Sequence, residues 1–347
     1  MVAVLSAIGS AVPTEVRQYE VWDQFFADHY SESGVAERIW RRSGVEHRHG
    51  VVIPWKEDVT EWGTEARMKR FIDEAVPLGT EAVRSCLGRA GLEPGDVGFL
   101  TAVSCTGYAS PGLDVLVARD LGMPDDLQRL HVGHMGCYAG LPGLATLANA
   151  ADARGTVGLL LCLELSSLHV QPPTEDVDQI VAHALFSDAA AAVAVRPSGP
   201  GLRVVDVVSR TDPGSADLMT WDVTDRGFRM GLSPRVSGVL GRLAADAVGE
   251  LLGNNGVSAS DVAGWAIHPG GPRIVDAIAR SLDLSEPDVA TSRSVLRDYG
   301  NCSSPTVFLV LERLLDDRPL YDGDPVVAIA FGPGLTVAGA LLIQTGG

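Results

Sequence analysis

Charge is scarce in this chain and one-sided where it occurs. Only 20% of the 347 residues are Asp, Glu, Lys or Arg, and 44 acidic against 27 basic side chains leave a formal charge of −17. A surface of that sign repels polyphosphates and anionic lipid, which excludes a general nucleic-acid partner and adhesion to an acidic membrane. Cysteine is equally thin: Cys86, Cys105, Cys137, Cys162 and Cys302 are the whole complement. They form no CxxC pair and no ligand spacing with histidine, which argues against a metal site or a disulfide scaffold and for a reducing, cytoplasmic setting. Long apolar runs are missing too, and nothing approaches the ~20 residues of a membrane span. The N-terminal MVAVLSAIGSAVPTEV lacks the basic leader and apolar core of a secretory signal, and reads as a strand entering a turn. No cofactor motif occurs, so no metal or organic cofactor is expected.

What is present is apolar bulk and glycine. The chain is 46% hydrophobic with 39 glycines, the profile of a well-buried globular enzyme. Near-continuous apolar runs (VGFLTAVSC, TVGLLLCLE, AAAAVAVR, LRVVDVVSR, VAGWAIHPG, PVVAIAFGPG) predict strands covered on both faces. Helical patterns separate them: PLGTEAVRSCLGRAGL, RVSGVLGRLAADAVGELLGNN and PRIVDAIARSLDL. The alternation predicts an α/β fold. A faint repeat divides it: Gly136-Cys137 and Gly300-Asn301 each open a helix rich in small residues, followed by a buried strand. The predicted halves are residues 1–198, carrying the cysteine, and 199–347, carrying a histidine and an asparagine.

Chemistry concentrates in three islands. Cys137 follows a glycine elbow and precedes a helix, whose unpaired N–H groups and partial positive field are expected to lower a thiol pKa. His268 ends the strand VAGWAIH and enters Pro-Gly-Gly-Pro, at a strand tip where α/β active sites gather. Asn301 opens the second small-residue helix; asparagine also caps helices, and the two roles need the same exposure. Thiol, imidazole and carboxamide are the parts that accept an acyl group from a thioester and then stabilise an enolate. The loop Gly332-Pro333-Gly334 lets backbone approach an acyl group closely and is a candidate oxyanion loop. A cationic cluster, Arg38, Arg41, Arg42 and Arg48, reads either as a solvated helix face or as a seat for an anionic substrate.

Taken together, VSCTGYASPGLD, GCYAGL, ELSSLHVQPPTED, ALFSDAAAA, IHPGGPRI, YGNCSSP and AFGPGLT resemble the thiolase superfamily. Within it they are similar to the type III polyketide synthases, the chalcone-synthase-like enzymes, over roughly residues 3–345. The resemblance implies a thiolase-like five-layer αβαβα fold built from two duplicated halves. It implies Cys137 as the acyl-carrying nucleophile, completed by His268 and Asn301, and acyl-CoA and malonyl-CoA as substrates. It makes Phe186 the gatekeeper between coenzyme A tunnel and buried cavity, and Phe228 the second aromatic. Cys105, Thr106, Ser166, His169, Met219 and Ser303 fall at cavity positions, and Arg38, Arg42, Gly271 and Arg273 at the coenzyme A site. It implies a resting Cys137 thiolate stabilised by protonated His268, and a homodimer. Val35 stands where plant members carry a lysine, and Met219 where they carry glycine, so the plant product is not expected. A pyrone, resorcinol or similar small phenolic is.

Other readings share these parts. A ketoacyl synthase III-like enzyme performs one condensation with an acyl carrier protein as partner, using the same three residue types. ALFSDA, PGGPRI and FGPGL favour the type III reading over it. A catalytically silent homologue serving as a binding protein would not need all three groups intact. A cysteine protease also uses Cys, His and Asn, but buried strands and a small-residue duplication do not suit a peptide cleft.

Overall fold

The structure, a computed structural model, describes residues 2–31 and 33–346. The chain begins with β1 (Val4–Ala11), then β2 (Thr14–Arg17) and β3 (His47–Gly50), which pair as a small antiparallel ribbon. β4 (Val97–Val103), β5 (Gln128–Val132), β6 (Val157–Leu165) and β7 (Asp188–Arg196) complete the first half. In the second half come β8 (Gly201–Thr211), the ribbon β9 (Met219–Thr224) and β10 (Gly227–Leu232), then β11 (Gly264–Ile267), β12 (Pro325–Gly332) and β13 (Thr336–Thr345).

The main sheet has nine strands in the order β11-β12-β13-β8-β1-β7-β6-β4-β5. A repeat is visible in it. β4 and β6 run parallel and β7 turns back antiparallel; β11 and β12 run parallel and β13 turns back antiparallel. Within this sheet the two halves are joined by β1 and β8, where Val4 and Leu5 pair with Arg203 and Leu202. The sheet is therefore mixed, and its apolar runs are buried on both faces, as Leu159–Leu163, Ala189–Val195 and Val326–Ala330 are.

Helices cover those faces in layers. Thr64–Ala90 packs on β1 and β7, Val236–Asn255 on β8 and β13, and Pro272–Ser281 on Val236–Asn255. Between the half-sheets lie Gly140–Arg154, which touches β4, β6, β8 and β13, and Thr306–Asp317, which touches β11, β12, β1 and β7. That is the thiolase-like five-layer arrangement. Small residues make the middle layer possible. A side chain on Gly140 would come within 2.6 Å of Phe308 in the other central helix, and one on Gly143 within 2.9 Å of Leu160. The first outer helix begins earlier than the sequence pattern predicts, at Thr64 rather than near Pro77. Pro77 loses one backbone bond on the exposed face, while burial of Phe71, Ala75, Val76 and Leu78 carries the helix across it. Among the described residues no helix is long and apolar enough to cross a membrane.

Candidate active site

The C-terminal tips of β4, β6, β11 and β12 and the starts of the two central helices converge on one region, the place where open α/β sheets put their sites. Cys137 lies in the turn that leads into Gly140–Arg154, with Ala139 N–H donating to Gly136 O at 3.1 Å. Gly136 sits at φ +80°, and a Cβ there would meet the Pro333 ring at 2.6 Å. Only glycine fits both conditions. A Cβ on Gly332 would come within 3.3 Å of the Cys137 backbone nitrogen, so the loop Gly332-Pro333-Gly334 is laid against the Cys137 turn. The Ser303 hydroxyl lines the same cavity as the Cys137 sulfur, and it and the Cys137 backbone N–H favour the thiolate.

His268 leaves β11, its N–H donating to Ile329 O at 2.8 Å, and its ring lies edge-on to Phe331 at 5.0 Å. It is wholly buried, and neither ring nitrogen has a partner among the described residues. Asn301 precedes the other central helix and is clamped by backbone: its N–H donates to Leu185 O at 2.9 Å and its carbonyl accepts from Ser187 N–H at 3.0 Å. Its side chain accepts from Ser303 N–H at 2.9 Å and donates to Gly270 O at 3.4 Å, leaving one amide proton free. Contacts thus close a ring from Cys137 through Ser303, Asn301 and Gly270 to His268, then through Phe331 and Gly332 back to Cys137.

Protonation departs from the sequence-based expectation. Burial pushes the Cys137 thiol up to about 12, against the Ser303 and backbone hydrogen bonds. Burial alone pushes His268 down to about 3. A helix terminus offers a fraction of a charge, and here desolvation outweighs it. Desolvation thus disfavours the charged form of each group, thiolate and imidazolium alike.

The cavity beside Cys137 is lined by Cys105, Thr106, Ser166, Phe186, Met219 and Ser303, all anticipated, together with Pro333. Trp221 and Met230 line it as well and were not anticipated. Both come from the β9–β10 ribbon, where alternation in a short exposed hairpin gives no hint that one face closes a cavity. Trp221 Nε1–H donates to Cys105 O at 2.8 Å, tying the ribbon to the tip of β4. His169 and Phe228 line the adjoining chamber instead of the one at Cys137. They stack at 4.6 Å, and His169 is fully engaged, with Nε2 on Thr106 O at 2.7 Å and Nδ1 accepting from Phe228 N–H at 3.0 Å. Burial pushes it down to about 4, so it is a neutral tie between loop and ribbon.

Glu164 is the group sequence reasoning passed over. It is completely buried at the end of β6, and accepts from Ser304 Oγ and Thr106 Oγ1 at 2.7 Å each, and from Cys105 N–H at 3.0 Å. One carboxylate at the end of TVGLLLCLE was the available signal. Burial raises its pKa, and the donors pull it back.

The cationic cluster divides. Arg38, in the helix Gly34–Arg41, and Arg42, just past it, are exposed, whereas Arg41 is held by Glu37 at 2.7 Å. Arg48 is not part of that surface: it is buried, 8% exposed, and turned inward. Exposed Arg273 follows Gly271 at the start of Pro272–Ser281, and a Cβ on Gly44 would lie 3.8 Å from Pro272. Gly271 in turn abuts Leu185, the neighbour of Phe186. Gly44, two residues past Arg42, thus lies near Pro272, and Gly271 lies near Leu185, whose neighbour Phe186 lines the Cys137 cavity.

Comparison with known proteins gives one answer. The family model for the N-terminal domain of chalcone and stilbene synthases matches residues 1–200, and that for the C-terminal domain matches 204–345. A 3,5-dihydroxyphenylacetyl-CoA synthase of Streptomyces toyocaensis is 32% identical, covering 98% of this chain and 93% of the relative. The alpha-pyrone synthesis polyketide synthase-like Pks18 of Mycobacterium tuberculosis is 31% identical over 98% of this chain and 91% of its own. The crystal structure of 1,3,6,8-tetrahydroxynaphthalene synthase from Streptomyces coelicolor A3(2), a bacterial type III polyketide synthase, superposes with a TM-score of 0.93 at 29% identity, covering 99% and 100% of the two chains.

Proposed function

Because this chain belongs to the chalcone and stilbene synthase family and is a type III polyketide synthase condensing malonyl-CoA units, we propose that Cys137, His268 and Asn301 perform the condensation, in the following order. Neutral His268 takes the Cys137 proton as the sulfur attacks the starter thioester, and returns it to the departing coenzyme A thiol. Malonyl-CoA then places its thioester carbonyl between the imidazole and the free Asn301 amide proton. Loss of CO2 leaves an enolate that those two donors stabilise. The enolate carbon attacks the acyl-Cys137 carbonyl, whose oxyanion meets the Cys137 N–H and the glycine loop. The carbon–sulfur bond breaks, the departing Cys137 thiolate takes up a proton from solvent, and the extended chain leaves on coenzyme A or reloads.

The observation that carries this reading is the closed ring of contacts from Cys137 through Ser303, Asn301 and Gly270 to His268. Arg38, Arg42 and Arg273 are read as the seat of the coenzyme A phosphates, with Phe186 as the gate. Met219 and Trp221 narrow the wall beside Cys137, which supports an aliphatic or malonyl-type starter and a pyrone, resorcinol or similar small phenolic. The halves are read as dividing at 198/199. A homodimer is supported by β5, an exposed strand at the edge of the main sheet.

Two substitutions at Cys137 test the chemistry. Cys137→Ala is expected to abolish acyl loading and product, read by intact-protein mass and by product analysis. Cys137→Gln is expected to go on releasing CO2 from malonyl-CoA, since the other two groups do that step. A folded Cys137→Gln protein that releases none would remove His268 and Asn301 from the assigned role.

A further inference from the structure

Behind the Cys137 cavity lies a second chamber, and Ser166, Phe186, Trp221 and Met230 line both. Its far wall is mostly apolar, with Val21, Phe26, Val52 and Val170 among the lining side chains. Into this setting β3 delivers Arg48. One side of its guanidinium lies over the Trp40 ring at 5.1 Å, and Nη1 donates to His183 O at 2.9 Å. Nε and Nη2 have no partner among the described residues. Those two nitrogens form one edge of the planar fork, the edge whose spacing matches the two oxygens of a carboxylate.

The neighbouring groups do not complete that edge. Asp188 is near enough for its charge to be felt. Its oxygens, however, are taken by Ser167 N–H at 2.8 Å, Ser167 Oγ and Val51 N–H at 2.9 Å, and it makes no ion pair with Arg48 among the described residues. Other polar side chains of the chamber have partners, His169 with Thr106 and Phe228, His183 with Tyr30 and Gln171, and Gln179 with Met230. Arg48 is the one lining residue with buried side-chain donors left over among those described. A buried cation with unmet donors is costly unless an anion or another acceptor arrives.

We infer that the Nε–Nη2 edge of Arg48 is a carboxylate subsite for the far end of the acyl chain held on Cys137, so that a starter ending in a carboxylate, a dicarboxylic acid monothioester, is accepted in preference to one ending in methyl. This rests on the proposed role of Cys137 as acyl carrier. The acyl body crosses the shared wall beside Phe186, its methylenes lie on the apolar lining, and the terminal carboxylate meets the fork.

The test is a competition. Pairs of coenzyme A thioesters of equal carbon number, one ω-carboxylated and one methyl-terminated, are offered across a range of lengths, and acylation of Cys137 is read by intact-protein mass. At the length that reaches the fork, the carboxylated member is expected to load at least about tenfold faster, as a charge-assisted bidentate contact allows. Arg48→Met is expected to bring that ratio near one, and Arg48→Lys to restore part of it, since lysine keeps the charge without the fork. No preference at any length in the unaltered protein overturns the inference, as does a preference that survives Arg48→Met. If Arg48→Met does not fold, the unaltered protein and Arg48→Lys decide the matter: an undiminished ratio in Arg48→Lys counts against the fork. A protein that loads no starter of either kind and releases no CO2 from malonyl-CoA defeats the reading of Cys137 itself. One that loads both kinds equally defeats only the subsite.

Discussion

The two halves put different chemistry at the same place. Strand register makes the equivalence explicit: Val103 faces Cys162 across β4 and β6, and Ile267 faces Ile329 across β11 and β12. Counting on from those pairs, Ser104 corresponds to His268, and Glu164 to Phe331. In the first half the strand tip is a saturated polar knot in which Glu164 draws donors from Ser304, Thr106 and Cys105. In the second half the tip is dry, with Phe331 against an imidazole that has no partner. The duplicated fold supplies two identical presentations of a side chain. One half spends its presentation on a saturated polar knot, and the other leaves an imidazole without a partner among the described residues.

Removing the unsatisfied base should have the largest effect. His268→Ala is expected to lower malonyl-CoA decarboxylation by about 10²–10³-fold, the usual loss for one positioned oxyanion donor. Decarboxylation at the unaltered rate in a folded variant would break the comparison. The same dryness has a pH signature. Burial holds His268 near 3 and His169 and His29 near 4, and lowers His183 as well, all against an ordinary value of 6.5. The unfolded chain therefore binds more protons than the folded one below pH 6.5, and stability falls as the pH drops from there through 4. Asp188, raised to about 6, opposes this, because its buried charge is relieved over part of the same window. Urea midpoints are expected to fall on acidification, and the fall should be shallower in His268→Ala. An equal slope in both proteins would mean that the imidazole is solvated.

The saturated half should answer to stability first. Glu164→Ala strands donors on Ser304, Thr106 and Cys105, and is expected to cost about 3 kcal/mol, several unmet buried groups being involved. Glu164→Gln keeps an acceptor and the shape, and should cost about 1 kcal/mol. Denaturant unfolding of both variants checks this. A Glu164→Gln cost as large as that of Glu164→Ala would show that the charge, not the acceptor, holds the knot.

This contrast also explains what sequence could and could not convey. Cys137, His268 and Asn301 are legible because each is announced locally, by a glycine that allows the elbow and by the helix or strand it terminates. The layered α/β fold is legible because its strands are buried on both faces and so lose the polar alternation. Glu164 is not announced, since its donors come from 58 and 140 residues away. Arg67 reads as one of many charges on a helix, yet it is fully buried, spending its guanidinium on the carbonyls of Trp62, Leu168, Val170, Val59 and Thr60. Arg48 belongs to the same class: it reads with Arg38, Arg41 and Arg42, which are exposed, while it is buried. The desolvation of Cys137 and His268 escapes for a related reason. A helix start is visible in sequence, but the desolvation that overrides it is a property of the assembled layers.

The smallest effects belong at the mouth, where the halves meet again. Arg38 and Arg42 come from the first half and Arg273 from the second, and all three are exposed. Contacts to phosphate there are charge-assisted but screened by salt, so each counts for less than a buried pair. Arg38→Ala, Arg42→Ala and Arg273→Ala are each expected to raise KM for malonyl-CoA about three- to tenfold with little change in kcat, because the contact is the same in ground and transition states. The rise should shrink as ionic strength increases, a dependence that loss of packing would not produce. If the first-half arginines shift KM and Arg273 does not, the coenzyme A seat belongs to the first half alone. If none of the three shifts it, these cations are a solvated face and the thioester enters elsewhere.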